Sequence, residues 1–175
     1  VEPFVNEIVA QPWDPDFNGE VDTSVAAVLP IKFPTEFLYG RGQLRDEILV
    51  TTNCGGVHVF DGTSWRSLNH PDIGDDGVLQ SSFQVYTVIN YQDALLLGQY
   101  PTGEVFRYAG GELELQKGWP PVMPGVSTSA REAQSATIYA GDLYIGVWPW
   151  AEVWRYDGSR WQLAGRMFTH PDITD

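Results

Sequence analysis

The sequence predicts an all-β fold of the β-propeller type, with about three four-stranded antiparallel blades in a 48-residue repeat. Three observations predict it. Glycines recur at constant spacing, at Gly62, Gly110 and Gly158. The segments around them share one pattern, namely VHVFDGTSW, VFRYAGGEL and VWRYDGSRW. Helical periodicity of apolar residues is absent, and a four-stranded unit of roughly 40 to 50 residues is typical of a propeller blade. A β-sandwich with similar hairpins is the alternative, but a sandwich does not require a constant repeat.

Each copy consists of four short predicted strands that are separated by turns. In the second copy these strands are FQVYTVIN (83–90), LLLGQ (95–99), EVFRY (104–108) and ELELQ (112–116). Asp-Gly or Gly-Gly pairs precede the fourth strand, where glycine reaches positive φ without steric cost. The second strands, at 47–50, 95–98 and 143–146, follow the same 48-residue phase. His58 occupies the position of Phe106 and Trp154, which predicts a histidine in the core.

The repeat divides the chain into blades at 33–80, 81–128 and 129–175, after an N-terminal segment at 1–32. That segment contains a predicted strand, Ser24–Leu29, and is expected to form part of another blade or a lid. Closed propellers have roughly 4–8 blades, so we expect an incomplete propeller. Either further blades belong to a longer chain, or the chain is a half that closes its ring as a homodimer.

Composition excludes several classes of protein. The net charge of -13, from 10 basic and 23 acidic residues, argues against nucleic-acid binding. No apolar run reaches the ~20 residues of a membrane helix. The single Cys54 excludes an internal disulfide and a cysteine-rich zinc site, and the acidic run at 72–76 lacks the full calcium-loop pattern. We therefore expect no metal and no cofactor. The acidity and the scarcity of lysine and cysteine slightly favour an extracellular or periplasmic location.

Binding residues are expected in the loops between the second and third strands and between blades, because these loops share one face of a propeller. Trp148 and Trp150 flank Pro149 in such a loop. Exposed tryptophans suit stacking on sugar rings, whereas the alternative is packing against the neighbouring blade. The ligand-binding candidates are Tyr100, Trp148, Trp150, Glu132 and Arg155.

Charged groups near the same loops have two interpretations each. The motif His-Pro-Asp-Ile begins at His70 and again at His170. It supplies imidazole and carboxylate groups for acid–base chemistry, or it is a structural turn. Arg107 and Arg155 share one repeat position, where they either bind an anionic ligand or pair with glutamates such as Glu104 and Glu152.

Two segments, LLLGQYPTGEVFRYAG (95–110) and AREAQSATIYAGDLYIGVWPWAEVWRYDG (130–158), resemble blades of bacterial carbohydrate-active propellers. They are similar to blades of polysaccharide lyases of the ulvan-lyase type. The resemblance implies β-elimination on acidic polysaccharide, with Tyr, His and Arg groups on one face of the ring. A cation neutralises the uronate carboxylate, and Tyr or His moves the proton. Catalytic candidates of those types are Tyr139, Arg131, His70 and His170.

Three functions follow from these observations. The first is a propeller scaffold that binds a ligand or partner, with carbohydrate as the ligand class. The second is a fragment of a polysaccharide lyase, against which the net charge of -13 weighs because the substrate is anionic. The third is a purely structural repeat. Whether the chain is an enzyme stays open at this point.

Overall fold

The computed structural model describes residues 38–68, 84–128 and 130–167, together with the backbone of two short strands at 7–8 and 27–28. Every regular element in these ranges is a β-strand, so the predicted all-β class is confirmed. The same ranges contain no helix that is long and apolar enough to cross a membrane.

Three four-stranded sheets correspond to the three predicted repeats, and we call them blades 1 to 3. Blade 1 contains β3 to β6, at Leu38–Leu44, Glu47–Thr52, Val57–Phe60 and Trp65–Ser67. Blade 2 contains β7 to β10, at Gln84–Tyr91, Ala94–Tyr100, Val105–Tyr108 and Leu113–Gln116. Blade 3 contains β11 to β14, at Glu132–Tyr139, Asp142–Trp148, Glu152–Tyr156 and Trp161–Arg166. Within each blade, strands that follow one another in sequence pair antiparallel.

A separate two-stranded sheet lies in the N-terminal segment. It pairs β1, Glu7–Ile8, with β2, Ala27–Val28, and it has no ladder to the blades. The β2 strand falls inside the predicted strand Ser24–Leu29.

The turn before the last strand of each blade forms as its sequence predicts. Gly62, Gly110 and Gly158 have φ values of 92°, 93° and 93°, which residues with a β-carbon rarely adopt. In blade 1 the Asp61 carboxylate accepts hydrogen bonds from the Thr63 and Ser64 amides, both at 2.8 Å. Asp157 does the same for Ser159 and Arg160 in blade 3. These aspartates therefore stabilise turns.

The blades stack face to face, with the first strand of each at the inner edge, since β3 contacts β7 and β7 contacts β11. One core fills the space between blades 1 and 2, where Val57 and Val59 meet Leu97 and Phe106. A second core fills the space between blades 2 and 3, and its buried members are Tyr91, Leu96, Val105, Ala133, Leu143, Ile145, Val147 and Trp154. Blade-like units stacked around a common inner edge support the propeller type, and the three sheets do not close a ring.

The strand register corrects one detail of the repeat. Leu49 pairs with Val59 in blade 1, whereas in blade 2 it is Leu96 that pairs with Arg107. Val59 and Arg107 are 48 residues apart, but Leu49 and Leu96 are 47 apart. The expectation that the second strands keep a 48-residue phase is therefore wrong for blade 1. The reason is that its loop between the second and third strands is one residue shorter.

His58 is confirmed as a core residue. Its side chain is 1% exposed, and its Nδ1 lies 3.0 Å from the Ser67 hydroxyl.

Candidate binding site

The inner strands share a bulge close to their first residues. Pairing shifts register between Leu38 and Arg41, between Val85 and Thr87, and between Ala133 and Ser135. The residues left at equivalent positions inside these bulges are Tyr39, Tyr86 and Gln134. A bulge re-aims a side chain away from the regular alternation of the strand, and bulges are frequent beside binding sites. The three blades thus place variable side chains side by side at one end of the inner edge.

Four aromatic side chains extend across the blades at this end, and we call Tyr39, Tyr86, Tyr100 and Trp148 the aromatic row. The Tyr39 and Tyr86 rings meet edge to face at 4.4 Å between centroids. Tyr100 of blade 2 and Trp148 of blade 3 are 6.2 Å apart. Tyr39 and Trp148 remain 40% and 45% exposed, so a ligand can reach both ends of the row.

The middle of the aromatic row is desolvated. The pKa of Tyr86 is raised, first by burial and then by its hydrogen bond with Tyr39. The charge of Glu132 and the nearby Tyr100 raise it further, which shows that these groups lie close together. The Tyr86 hydroxyl donates to the Gln84 side chain. Tyr86 is therefore a neutral phenol at neutral pH.

Glu132 is a buried acid beside the aromatic row. It begins β11 opposite Trp148, and it is 5% exposed. Burial raises its pKa to about 7, and its Oε1 atom makes no hydrogen bond to any described residue. A carboxyl group with that pKa is partly protonated at neutral pH, so it can both donate and accept hydrogen bonds.

Arg131, a predicted catalytic residue, lies beneath the loop between β8 and β9. Its guanidinium donates to the carbonyl oxygens of Gly103, Pro120 and Pro121, at 3.4, 3.2 and 2.7 Å. Its side chain is 2% exposed and lies 3.8 Å from the Glu152 carboxylate. Burial lowers the pKa of Arg131, and the charge of Glu152 opposes that effect. Because the guanidinium is enclosed by these acceptors, Arg131 holds loops together and is screened from an external ligand.

Glu152 joins the same buried group. One oxygen accepts the indole N–H of Trp154 at 2.8 Å, and Arg166 lies 3.8 Å from the other. The sequence suggested Glu152 as a partner for Arg155, but the two are three residues apart on one strand. Residues an odd number apart point to opposite faces of a strand. The pairing of Arg155 with Glu152 is therefore wrong.

Arg155 is held on the surface of blade 3 by a different partner. Its guanidinium lies 2.6 Å from the Asp142 carboxylate, and this hydrogen bond is the main cause that raises its pKa. Arg107 lies 3.5 Å from Glu114, not beside Glu104. The alternative of ion pairing for these two arginines thus describes the structure, although with other acids than the sequence suggested.

Tyr139 lies at the other end of the inner edge. It pairs with Asp142 next to the turn between β11 and β12, and it is 72% exposed. Glu132, beside Arg131, is at the opposite end of the same eight-residue strand. At about 3.3 Å per residue, the strand separates Tyr139 from Arg131 by more than 20 Å, on the order of a whole strand length. The structure therefore does not bring these two catalytic candidates together.

Trp150 packs against the connection between blades 2 and 3. Its indole N–H donates to the Ser127 carbonyl oxygen at 3.1 Å. Trp150 is half-buried and hydrogen-bonded to this connection, whereas Trp148 is 45% exposed. His70 and His170 lie outside the described residues.

Sequence reasoning missed Tyr39, Tyr86, Gln84 and Gln134. A signal was present, because Tyr39 and Tyr86 fall in the same column once blade 1 is shifted by one residue. The bulges themselves had no sequence signal, since no glycine or proline marks the bulged position in blades 2 and 3.

No protein-family model matches the sequence, and the search of curated proteins finds no significant match. Among the residues that the structure describes, no three His, Cys, Asp or Glu side chains are grouped so as to hold a metal ion. The site is therefore interpreted from its own chemistry. Aromatic faces beside amide, hydroxyl and protonatable carboxyl groups fit a ligand that is both polar and flat-faced, such as a sugar.

Proposed function

We propose that the chain is a propeller-type scaffold that binds carbohydrate at the aromatic row. The observation that carries the proposal is the pair of accessible rings, Tyr39 and Trp148, at the two ends of the row. The C–H faces of a sugar pack on such rings, while its hydroxyl groups need donors and acceptors at the rim. Gln84 and Gln134 supply those groups at the same end of the inner edge.

The charge distribution favours a neutral carbohydrate over an anionic one. Arg131 and Arg166, near the loop end of blade 3, are engaged with Glu152, and Arg155 is engaged with Asp142. The carboxyl group beside the aromatic row, Glu132, repels an anion whenever it ionises. The net charge of -13 repels anionic polymers at longer range, within the screening length of the solution. We therefore expect neutral oligosaccharides to bind more tightly than uronate oligosaccharides.

The lyase alternative has less support from the same contacts. It needs a cation at the substrate carboxylate and a proton acceptor nearby. The guanidinium of Arg131 is taken up by backbone carbonyls, and Tyr139 lies at the far end of β11. Among the described residues, the pair that supports the lyase alternative is Tyr86 and Glu132, because a phenol and a carboxyl group that lie close together can exchange a proton.

Calorimetric titration with neutral and uronate oligosaccharides tests the proposal. We expect Trp148→Ala to weaken binding of a neutral oligosaccharide at least about tenfold, equivalent to about 1.4 kcal/mol. Tyr139→Ala is the matched control, because Tyr139 is an exposed aromatic residue at the opposite end of the inner edge. Absence of binding to every neutral oligosaccharide, or equal losses in the two variants, would contradict the proposal. A rise in ultraviolet absorbance with uronate polymers would support the lyase alternative.

A further inference from the structure

The two contacts between blades repeat one arrangement, which we call the knob and the socket. The knob is the residue before the bulge in an inner strand, Val85 in blade 2 and Ala133 in blade 3. The socket is a residue on the second strand of the preceding blade, Thr51 for Val85 and Gly98 for Ala133. The Thr51 hydroxyl donates to the Val85 carbonyl oxygen at 2.9 Å. A β-carbon on Gly98 would lie 2.2 Å from the Ala133 carbonyl oxygen. Val85 and Ala133 are 0% and 1% exposed.

Blade 3 carries a third socket. Gly146 pairs with Val153 as Gly98 pairs with Val105 and Thr51 with Val57, so the three positions are equivalent. Gly146 lies in an open cleft of about 340 Å³. The cleft is also lined by Ser135, Trp148, Val153 and Met167. The place where a further inner strand would dock is therefore accessible, with Met167 80% exposed at its edge.

Blade 1 carries a third knob. Leu38 pairs with Thr52 as Val85 pairs with Gln99 and Ala133 with Val147, so Leu38 is the equivalent of the two buried knobs. It is nevertheless 40% exposed.

A second residue on the same face of blade 1, at its other end, is also accessible. Ile48 pairs with Phe60, as Leu95 pairs with Tyr108 and Leu143 with Tyr156. Ile48 is 40% exposed, whereas Leu95 and Leu143 are 0% exposed. Val50 and His58, in the middle of this face, are buried, so its accessible apolar contacts are Leu38 and Ile48.

We propose that a second copy of this chain docks its Leu38 into the Gly146 socket of the first, and that the first does the same to the second. One chain presents both halves of a contact that it already makes twice internally, and the two halves lie on opposite ends of the stack of blades. Two copies supply six blades, which is within the 4–8 that closed propellers use. Two identical contacts related by a twofold axis close the ring and leave neither half exposed. This proposal does not rest on carbohydrate binding, but the two compete for Trp148, which lines the cleft that receives Leu38.

Light scattering of the purified chain tests the proposal directly. We expect a mass twice that of the 19.5 kDa chain, falling to a single chain on dilution. Leu38→Asp places a negative charge in a socket whose lining includes Glu152, and we expect it to weaken association at least tenfold. Leu163→Asp is the matched control, because Leu163 is 39% exposed and pairs with Trp154 on the opposite face of blade 3 from Gly146. We expect that variant to keep the dimer.

Two further variants test the proposal independently of whether Leu38→Asp folds. Gly146→Val fills the socket once the Ser135 hydroxyl, which lies 2.5 Å from the β-carbon position, rotates away, and we expect it to give a folded monomer. A chain with both Leu38→Cys and Gly146→Cys should form dimers linked by disulfides on mild oxidation, while either substitution alone should not. A chain that stays monomeric at every concentration, or that forms open-ended oligomers, would overturn the proposal. In the monomeric case we would infer that the socket receives a further blade of a longer chain. A dimer that Leu38→Asp and Gly146→Val leave intact would also overturn it.

Discussion

The carbonyl oxygen of Ala133 lies only 2.2 Å from the point where Gly98 would carry a β-carbon. Blades 2 and 3 therefore meet backbone to backbone at this point, because one of the two residues has no side chain. The same place between blades 1 and 2 is occupied by Thr51, whose hydroxyl bonds to the carbonyl oxygen of Val85. Two different residues thus satisfy one requirement of the repeated stack, namely close approach of an inner strand to the preceding blade.

Gly98→Ala should separate blades 2 and 3. The added methyl group meets the backbone of Ala133, which cannot rotate away, so we expect the free energy of unfolding to fall by about 3 kcal/mol. Gly111→Ala is the control, since no atom lies within 4 Å of the point where its β-carbon would stand and its φ is not positive. We expect the free energy of unfolding of the control, measured in urea, to lie within about 1 kcal/mol of that of the parent protein. Equal unfolding midpoints for the two variants would contradict the close contact.

Thr51→Val should destabilise the contact between blades 1 and 2 without a change of volume. The Thr51 hydroxyl donates to Val85 and accepts the Gly40 amide, both at 2.9 Å, and the valine leaves these buried groups unpaired. We expect a loss of about 2 kcal/mol in the free energy of unfolding, measured in urea. Thr51→Ser keeps the hydroxyl and should lose less. If the serine variant were the less stable of the two, the methyl group and not the hydrogen bond would be the stabilising part.

Arg131→Met should act on stability. The substitution leaves Arg166 as the remaining cation beside the buried Glu152 carboxylate. It also removes the guanidinium that donates hydrogen bonds to three carbonyl oxygens. Removing one partner of a buried ion pair costs about 3–5 kcal/mol when the other charge is left unpaired; because Arg166 stays beside Glu152, we expect a loss near the lower end, about 3 kcal/mol, in denaturant unfolding. Arg155→Met removes an arginine whose partner, Asp142, lies at the surface, and should shift the midpoint far less. A stable Arg131→Met protein that has lost ligand binding would instead make Arg131 a binding residue.

Glu132 should make the protein less stable as the pH rises toward 7. Its folded pKa of about 7 is above the ordinary value of 4.5, so the folded protein holds the proton more tightly than the unfolded chain. Its stabilisation is complete below pH 4.5 and is lost as the pH rises to 7. The full difference corresponds to at most about 3 kcal/mol. Glu132→Gln is neutral at every pH. The free energy of unfolding of the parent protein in urea, minus that of the variant, should therefore decline as the pH rises. A difference that stays constant from pH 4.5 to pH 7 would contradict the burial of the charge.

Much of the candidate site depends on features that the sequence shows only in part. Trp148 was predicted in a loop, but it is the last residue of β12 and pairs with Glu132; the sequence left open whether it stacks on a ligand or packs against a blade. Tyr86 and Tyr39 were missed, because a strand pattern alternates strictly and a bulge interrupts that alternation without a characteristic residue. The role of Arg131 was also beyond reach, since its acceptors come from two loops at 103 and 120–121 that lie far from it in sequence.

The sequence by itself determined the all-β class, the three units and the hairpin turns, because strand alternation and glycine turns are local properties that recur with the repeat. The buried position of His58 followed from the same repeat. Tertiary structure decided the rest. The register of blade 1, the partners of Arg131 and Arg155, and the separation of Tyr139 from Arg131 depend on which face each strand presents. A one-residue difference in loop length or a single bulge reverses that face, and only the packing of one blade against the next selects between the two arrangements.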